Sequence, residues 1–283
     1  MIKSGIKFSK QILTIVFLFL VGTQILQAKI HTKKKNPEIG VLINVIDHDY
    51  ENITDQQLNK IRKIGYKTIE LGAYTKSLSP RFMITYSKLK FKTMGCGSSL
   101  YDLQNSIDEW IRKAHQLNQE YIICYWPWLD GAEHITREQC EESARIMNEI
   151  GEKCFNAGIK FAFHNHALEF GKIDGEFIVD LLLKNTNPKY VSFELDIYHM
   201  LKSGNDPIPF MENNASRITI LHLFAMDNKS KYPLVGEGMN DFDRIINTGL
   251  NIGVDYLILE GNDLEDPMRF VEESYPVLKK FVR

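Results

Sequence analysis

Ionisable residues in the second half of this 283-residue chain follow directly after short apolar runs. His164, His166 and Glu169 follow one such run, and Asp196 and His199 follow the next. Short apolar runs bounded by turn signals predict buried parallel strands. Because parallel α/β folds bind ligands at the carboxyl ends of their strands, we expect these side chains to carry the chemistry.

Two later apolar runs end in the same way, with His222 in one and Glu260 in the other. On consecutive barrel strands these four ends are neighbours around one rim. Several carboxylates with an imidazole suit one divalent cation such as Mn²⁺, Mg²⁺, Co²⁺ or Zn²⁺. A single strand-end His or Glu is more often a hydrogen-bonded structural residue. Recurrence on four successive strands instead favours a shared cation site.

The elements that must position these residues alternate along the chain from Glu38 onward. The predicted strands span 39–46, 66–74, 91–99, 120–131, 160–166, 191–199, 217–227 and 254–263. The predicted helices span 54–65, 100–118, 136–158, 174–189, 241–250 and 266–281, with shorter ones after Pro80 and Asp206. This pattern predicts one (β/α)8 barrel over residues 38–283. An open doubly wound sheet is the alternative, but the first strand lacks a glycine-rich phosphate loop.

The N-terminal segment is predicted to be a signal peptide over residues 1–28. It has Lys3, Lys7 and Lys10 before an apolar stretch that ends near Ala28. A core helix or an uncleaved membrane anchor is the alternative. Residues 29–37 then form a short solvated linker. We therefore expect a periplasmic or secreted protein that meets the membrane only through its signal peptide during export.

Charge and cysteine content exclude other classes of protein. A formal net charge of −2 with scattered charges gives no basic surface for nucleic acid. The four cysteines, Cys96, Cys124, Cys140 and Cys154, are too sparse for a disulfide scaffold, so buried free thiols are expected.

Five segments resemble, in order, motifs of the sugar phosphate isomerase/epimerase family. This group of xylose isomerase-like barrels also includes tagatose 3-epimerases and endonuclease IV. The segments are FHNHALEF (163–170), ELDIYHM (194–200), LHL (221–223), VGEGMNDF (235–242) and LILEGND (257–263). The resemblance covers nearly all of the chain beyond the signal segment. It implies the barrel fold and a divalent cation held by Glu169, Asp196, His222 and Glu260.

Two departures from the family pattern affect the site. In the epimerases the Glu of the fifth strand lies six residues earlier, where this chain has Phe163, so His164 or His166 is an alternative ligand to Glu169. The family also often has H-x-K-D at the seventh strand, whereas Phe224 and Ala225 follow here, and the substrate-contacting Lys is absent.

The resemblance implies a metal-dependent isomerase or epimerase acting on a small-molecule carbohydrate. The cation would chelate a carbonyl and a neighbouring hydroxyl, and Glu169 or Glu260 would move the adjacent proton. His164, His166, His199 and Trp126 are expected to bind substrate. A 3-keto-glycoside lyase or hydrolase, or a dehydratase, uses the same scaffold. A non-catalytic sugar-binding barrel is the alternative of another class, and the acidic balance disfavours a DNA-repair phosphodiesterase.

Overall fold

The computed structural model describes residues 36–47, 52–73, 79–129, 131, 135–226, 234–239, 241–262 and 264–282. The predicted signal peptide (1–28) and most of the predicted linker (29–37) therefore lie outside the described residues. Within those described ranges, no helix is both long enough and apolar enough to cross a bilayer.

Eight parallel strands close into a barrel. They are β1 (Glu38–Leu42), β2 (Thr68–Glu70), β3 (Lys92–Ser99), β4 (Tyr121–Trp126), β5 (Lys160–His164), β6 (Ser192–Asp196), β7 (Ile218–Leu223) and β8 (Tyr256–Leu259). The order around the barrel is β1-β8-β7-β6-β5-β4-β3-β2. Because β1 pairs with both β2 and β8, the sheet has no open edge. The predicted (β/α)8 barrel is confirmed, and the open sheet is excluded.

Helices lie between successive strands and cover the barrel. They are α1 (Asp55–Ile64), α2 (Pro80–Lys88), α3 (Leu100–Gln116), α4 (Arg137–Asn156), α5 (Ile178–Asn185), α6 (Ile197–Lys202), α7 (Pro207–Asn213), α8 (Phe242–Ile252) and α9 (Pro267–Lys279). Thr54 and Thr136 begin α1 and α4 with capping boxes, in which the Thr side chain and the Gln three residues later satisfy each other's backbone N–H groups. All four cysteines are buried and free.

The sixth strand is shorter than its sequence pattern predicts. It ends at Asp196, and α6 begins at Ile197, whereas the apolar run predicts a strand to His199. Asp196 Oδ1 accepts a 2.7 Å hydrogen bond from the backbone N–H of His199. This side-chain cap satisfies a free donor of the first turn and starts the helix at the rim.

The segment between β5 and β6 also differs from its predicted helix over 174–189. A two-stranded hairpin of Lys172–Ile173 and Glu176–Phe177 precedes α5. Asp174 and Gly175 form its turn, with φ angles of 51° and 83°. An Asp-Gly pair with positive φ at both positions is a favoured two-residue hairpin turn, because its twist matches that of the strands. This hairpin displaces the helix start to Ile178.

Candidate active site

Strand register brings the first ionisable residues together at the carboxyl end of the barrel. His164 of β5 lies opposite Glu194 of β6, and Asp196 of β6 lies opposite His222 of β7. Side chains alternate between the two faces of a strand. The four side chains therefore enter the barrel interior on adjacent strands, and they are all buried.

His222 lies at the centre of the cluster, with carboxylates on both sides of its ring. Its Nδ1 is 2.8 Å from Glu260 Oε2, and its Nε2 is 2.8 Å from Glu70 Oε2. Glu194 Oε1 lies 3.1 Å from the same Nε2. Although burial opposes it, the charges of Glu194, Glu70 and Glu260 raise the pKa of His222 well above its ordinary value.

His164 repeats this arrangement on the neighbouring strand. Its Nδ1 is 3.1 Å from Glu194 Oε2, and its Nε2 is 4.0 Å from Asp196 Oδ2. The His164 and His222 ring centroids are 4.9 Å apart. Each imidazole thus has one nitrogen toward a carboxylate at the rim and the other toward a carboxylate deeper in the barrel.

The rim carboxylates, Asp196 and Glu260, lie close enough for each to perturb the pKa of the other. Burial and the charge of Glu260 raise the pKa of Asp196 to about 8, which favours the protonated form of this carboxyl at neutral pH. For Glu260, burial acts in the opposite direction, but the charge of His222 lowers its pKa. The Glu260 side chain is 13% exposed, compared with 2% for Asp196, and is the more accessible of the two.

The donor set at the rim fits one divalent cation. His164, Asp196 and His222 each offer a ligand atom, and these atoms lie within 4.8 Å of one another. Glu260 is in contact with both Asp196 and His222. Two imidazole nitrogens and two carboxylates are ligands that Zn²⁺, Mn²⁺ and Co²⁺ accept. The neighbouring carboxylates of Asp196 and Glu260 also provide the negative charge that a cation would neutralise.

Glu169, expected at this site, has both of its carboxylate oxygens hydrogen-bonded to other groups. It lies in a short 3₁₀ turn after β5, where Oε2 accepts from the His166 backbone N–H at 2.7 Å. Its Oε1 accepts from Trp128 Nε1 at 2.8 Å. Burial raises the pKa of Glu169. Both oxygens of this buried carboxyl therefore connect the loop after β4 to the loop after β5, and Glu169 is not among the clustered ligand atoms of the described residues.

The other predicted substrate-binding residues form an aromatic group beside the candidate cation ligands. The ring centroids of His166 and His199 are 5.0 Å apart, and Trp126 lies 5.4 Å from His166. Nδ1 of each of these two histidines is buried without a hydrogen-bond partner. Burial is the main cause that lowers the pKa of His166 to about 3 and that of His199 to about 4. Both are neutral near pH 7 and have a free ring nitrogen for a ligand.

Two carboxylates in the cluster, Glu70 and Glu194, were not predicted as site residues from the sequence. Both are fully buried, and the hydroxyl of Tyr125 donates to Glu70 Oε1 at 2.6 Å. Each Glu is flanked by apolar residues, with TIEL at the end of β2 and SFEL within β6. Charged side chains are almost never fully buried unless paired, so a lone Glu flanked in this way is the signal that could have identified them.

Comparison with known proteins identifies the family to which this chain belongs. Residues 102–281 match the sequence model of the xylose isomerase-like TIM barrel family. The chain belongs to this family, which confirms the resemblance drawn from the five motifs.

Three relatives illustrate the range of the family. An inosose dehydratase of Lacticaseibacillus casei is 24% identical over 170 residues, which are 53% of this chain and 56% of that protein. The chain therefore spans little more than half the length of that curated relative. A sugar phosphate isomerase/epimerase from Parabacteroides distasonis ATCC 8503 superposes with a TM-score of 0.72 at 23% identity, covering 87% of this chain and 100% of that one. D-psicose 3-epimerase from Clostridium cellulolyticum H10 superposes with a TM-score of 0.66 at 14% identity, covering 86% and 99%. At these identities the two structures support the fold.

Proposed function

We propose that this protein is a divalent-metal-dependent isomerase or epimerase that removes a proton next to the carbonyl of a sugar or keto-sugar. The observation that carries the proposal is the convergence of two imidazole nitrogens and two carboxylates at the carboxyl-end rim. One relative is named an epimerase and another a dehydratase. These names support an enzyme rather than a sugar-binding barrel without catalytic activity.

We assign the cation to His164, Asp196, His222 and Glu260, with His164 as the ligand from β5. Phe163 pairs with Phe193, and their rings stack at 5.2 Å. Phe193 in turn contacts Phe210 of α7, so this face of β5 points toward the helices. Alternation along the strand then turns His164 inward. Glu169 would instead hold the loops that present His166 and Trp126.

The bound cation would polarise a substrate carbonyl and a neighbouring hydroxyl. Glu260 is the group we assign to accept the proton, because it is ionised at neutral pH and reaches the opening. His166 and His199 are neutral and have free ring nitrogens, which suits hydrogen bonds to substrate hydroxyls. Glu169 was expected as the second proton-transfer group, and both of its oxygens already accept hydrogen bonds.

Dehydration is the second candidate, because the curated relative is an inosose dehydratase. Both reactions begin with removal of the proton next to the carbonyl. They diverge when the resulting electron pair either takes back a proton or expels a β-hydroxyl. Incubation of cation-loaded protein with ketoses, keto-inositols and 3-keto-glycosides, followed by NMR, separates them: an epimer or isomer supports the first, and an unsaturated or diketo product supports the second.

The substrate we propose is uncharged. The residues after His222 are Leu223, Phe224 and Ala225, so no lysine follows this ligand in the described part of that loop. The Phe224 ring instead packs on Tyr198 at 4.6 Å. Aromatic side chains at the opening suit the apolar face of a sugar, while a phosphate would need cationic partners.

The ligand assignment is tested by a matched pair of variants, His164→Gln and Glu169→Gln. Equilibrium dialysis against Mn²⁺ or Co²⁺ should give one cation per chain for the wild type. His164→Gln should weaken binding strongly, whereas Glu169→Gln should bind with nearly wild-type affinity. The opposite ranking would return the β5 ligand to Glu169. Absence of binding by the folded wild type would refute metal dependence.

A further inference from the structure

We propose that Glu70 and Glu194 are positioning residues that fix which nitrogen of each imidazole faces the cation. Glu70 would hold the Nε2 proton of His222, and Glu194 the Nδ1 proton of His164. The metal-facing atoms would then be Nδ1 of His222 and Nε2 of His164. This inference rests on the proposed function and adds a second layer of residues beneath its cation site.

The contacts assign one deep carboxylate to each imidazole. Glu70 Oε2 is 2.8 Å from His222 Nε2, and Glu194 Oε2 is 3.1 Å from His164 Nδ1. Tyr125 donates its hydroxyl proton to the other oxygen of Glu70, at 2.6 Å, and so fixes the rotation of that carboxylate. Glu194 Oε1 is buried without a hydrogen bond of good geometry, although it lies 3.1 Å from His222 Nε2.

The position of these carboxylates is unusual for a barrel of this type. Glu70, Tyr125 and Glu194 come from β2, β4 and β6, and alternate strands fill one layer of a (β/α)8 interior. Bulky aliphatic residues normally occupy such layers, because the interior is a packed core. Both Glu residues are 0% exposed. A buried carboxylate is strongly destabilising unless it is paired, so two of them beneath two histidines indicate a function for the pairing.

The chemistry of imidazole explains what the pairing does. A neutral imidazole has one N–H donor and one lone-pair acceptor, and only the acceptor can bind a metal. A carboxylate that accepts from one nitrogen therefore directs the lone pair to the other. Protein metal sites commonly orient ligating histidines in this way, and loss of such a partner costs roughly 10- to 100-fold in metal affinity.

A second cation within the deep layer is the competing interpretation. Glu70, Glu194 and His222 also offer ligand atoms within 4.8 Å of one another. A cation there would take the same His222 Nε2 that already lies at hydrogen-bond distance from Glu70. His222 would then have to bridge two cations and lose both ring protons. The single imidazole shared by both groups favours the hydrogen-bonded arrangement.

The experiment compares Glu70→Gln with Glu120→Gln. Glu120 precedes β4 and is paired with Lys160 and Lys92, so it provides the same substitution outside the cluster. Two quantities are measured: cation affinity and stoichiometry by dialysis, and the ¹⁵N–¹H signal of His222 Nε2–H in the metal-free protein. We expect Glu70→Gln to lose roughly 10- to 100-fold in affinity at unchanged stoichiometry, and to lose or shift the Nε2–H signal. Glu120→Gln should change neither.

Unchanged affinity together with an unchanged Nε2–H signal in Glu70→Gln would overturn the inference. Two cations in the wild type and one in Glu70→Gln would also overturn it, because Glu70 would then be a ligand. If Glu70→Gln does not fold, Tyr125→Phe removes only the hydroxyl that fixes Glu70, and wild-type affinity in that variant would count against the proposal. A wild type that binds no cation refutes the proposed function, while the Nε2–H signal still decides the hydrogen bond.

Discussion

Asp196→Asn should make the metal-free protein more resistant to alkaline pH, although it removes a proposed cation ligand. Burial and the charge of Glu260 raise the pKa of Asp196 from 3.8 to about 8 in the folded state. The folded state therefore binds one more proton than the unfolded state between these two values. Stability contributed by the protonated form is lost as pH rises, and the loss ends above the folded pKa.

The size of the effect follows from the same pKa. Over the interval from pH 7 to pH 9, a carboxyl group with a pKa of about 8 is protonated half of the time on average. Integration of the linkage relation gives a loss of about 1.4 kcal/mol in the free energy of unfolding. For a chain of this size this corresponds to roughly 3 to 6 °C in the melting temperature. Asn cannot ionise, so the variant should not show this part of the loss.

The assay is thermal or urea unfolding of wild type and Asp196→Asn at pH 7, 8 and 9 in excess chelator. The raised pKa of His222 also reduces stability as pH rises, but both proteins retain His222 and the difference between them reports Asp196. Saturating cation provides the control, because it should stabilise the wild type more than the variant. Parallel pH profiles for the two metal-free proteins, or a steeper loss in the variant, would refute the reasoning.

Three further outcomes are expected. Cation affinity should rise with pH across neutrality, because the pKa values of Asp196 and His222 are both raised and both groups must lose a proton to bind. Calorimetry in buffers of different ionisation enthalpy should detect this proton release, and a pH-independent affinity would contradict it. At the other end of the barrel, burial opposes ionisation of Glu120, but hydrogen bonds led by that from Lys160 lower its pKa to about 2, so its stabilising contribution is present above pH 4.5 and is lost toward pH 2. Acid unfolding should show that the deficit of Glu120→Gln shrinks over this range, and a constant deficit would exclude the mechanism. N-terminal sequencing of protein from its native host should begin near residue 29, whereas an intact Met1 would refute cleavage of the signal segment.

The sequence was sufficient for the barrel because most strands are apolar runs and several helices begin at a side-chain cap. The capping boxes at Thr54 and Thr136 were predictable for this reason, since they depend on residues three apart. The role of a polar side chain at the end of a strand was harder to predict from the sequence. Asp196 can continue a strand or cap a helix, and only its hydrogen bond to the His199 backbone shows which occurs.

The site was predicted in part. The recurrence of ionisable residues at strand ends identified Asp196, His222 and Glu260, which the structure brings together. Glu70 was missed as a site residue because it contributes from β2, far in sequence from His222. Contacts across the barrel interior depend on the tilt and register of the strands, which periodicity along one strand does not report.

Solvent deuterium exchange tests the central claim most directly. Cation-loaded wild type in D₂O should wash deuterium into the carbon next to the carbonyl of a keto-sugar that it accepts, and chelator should stop the exchange until cation is restored. Glu260→Gln, saturated with cation, should fold but fail to exchange. Exchange that continues in the chelated protein, or at full rate in the saturated Glu260→Gln variant, would contradict a metal-dependent proton abstraction by Glu260.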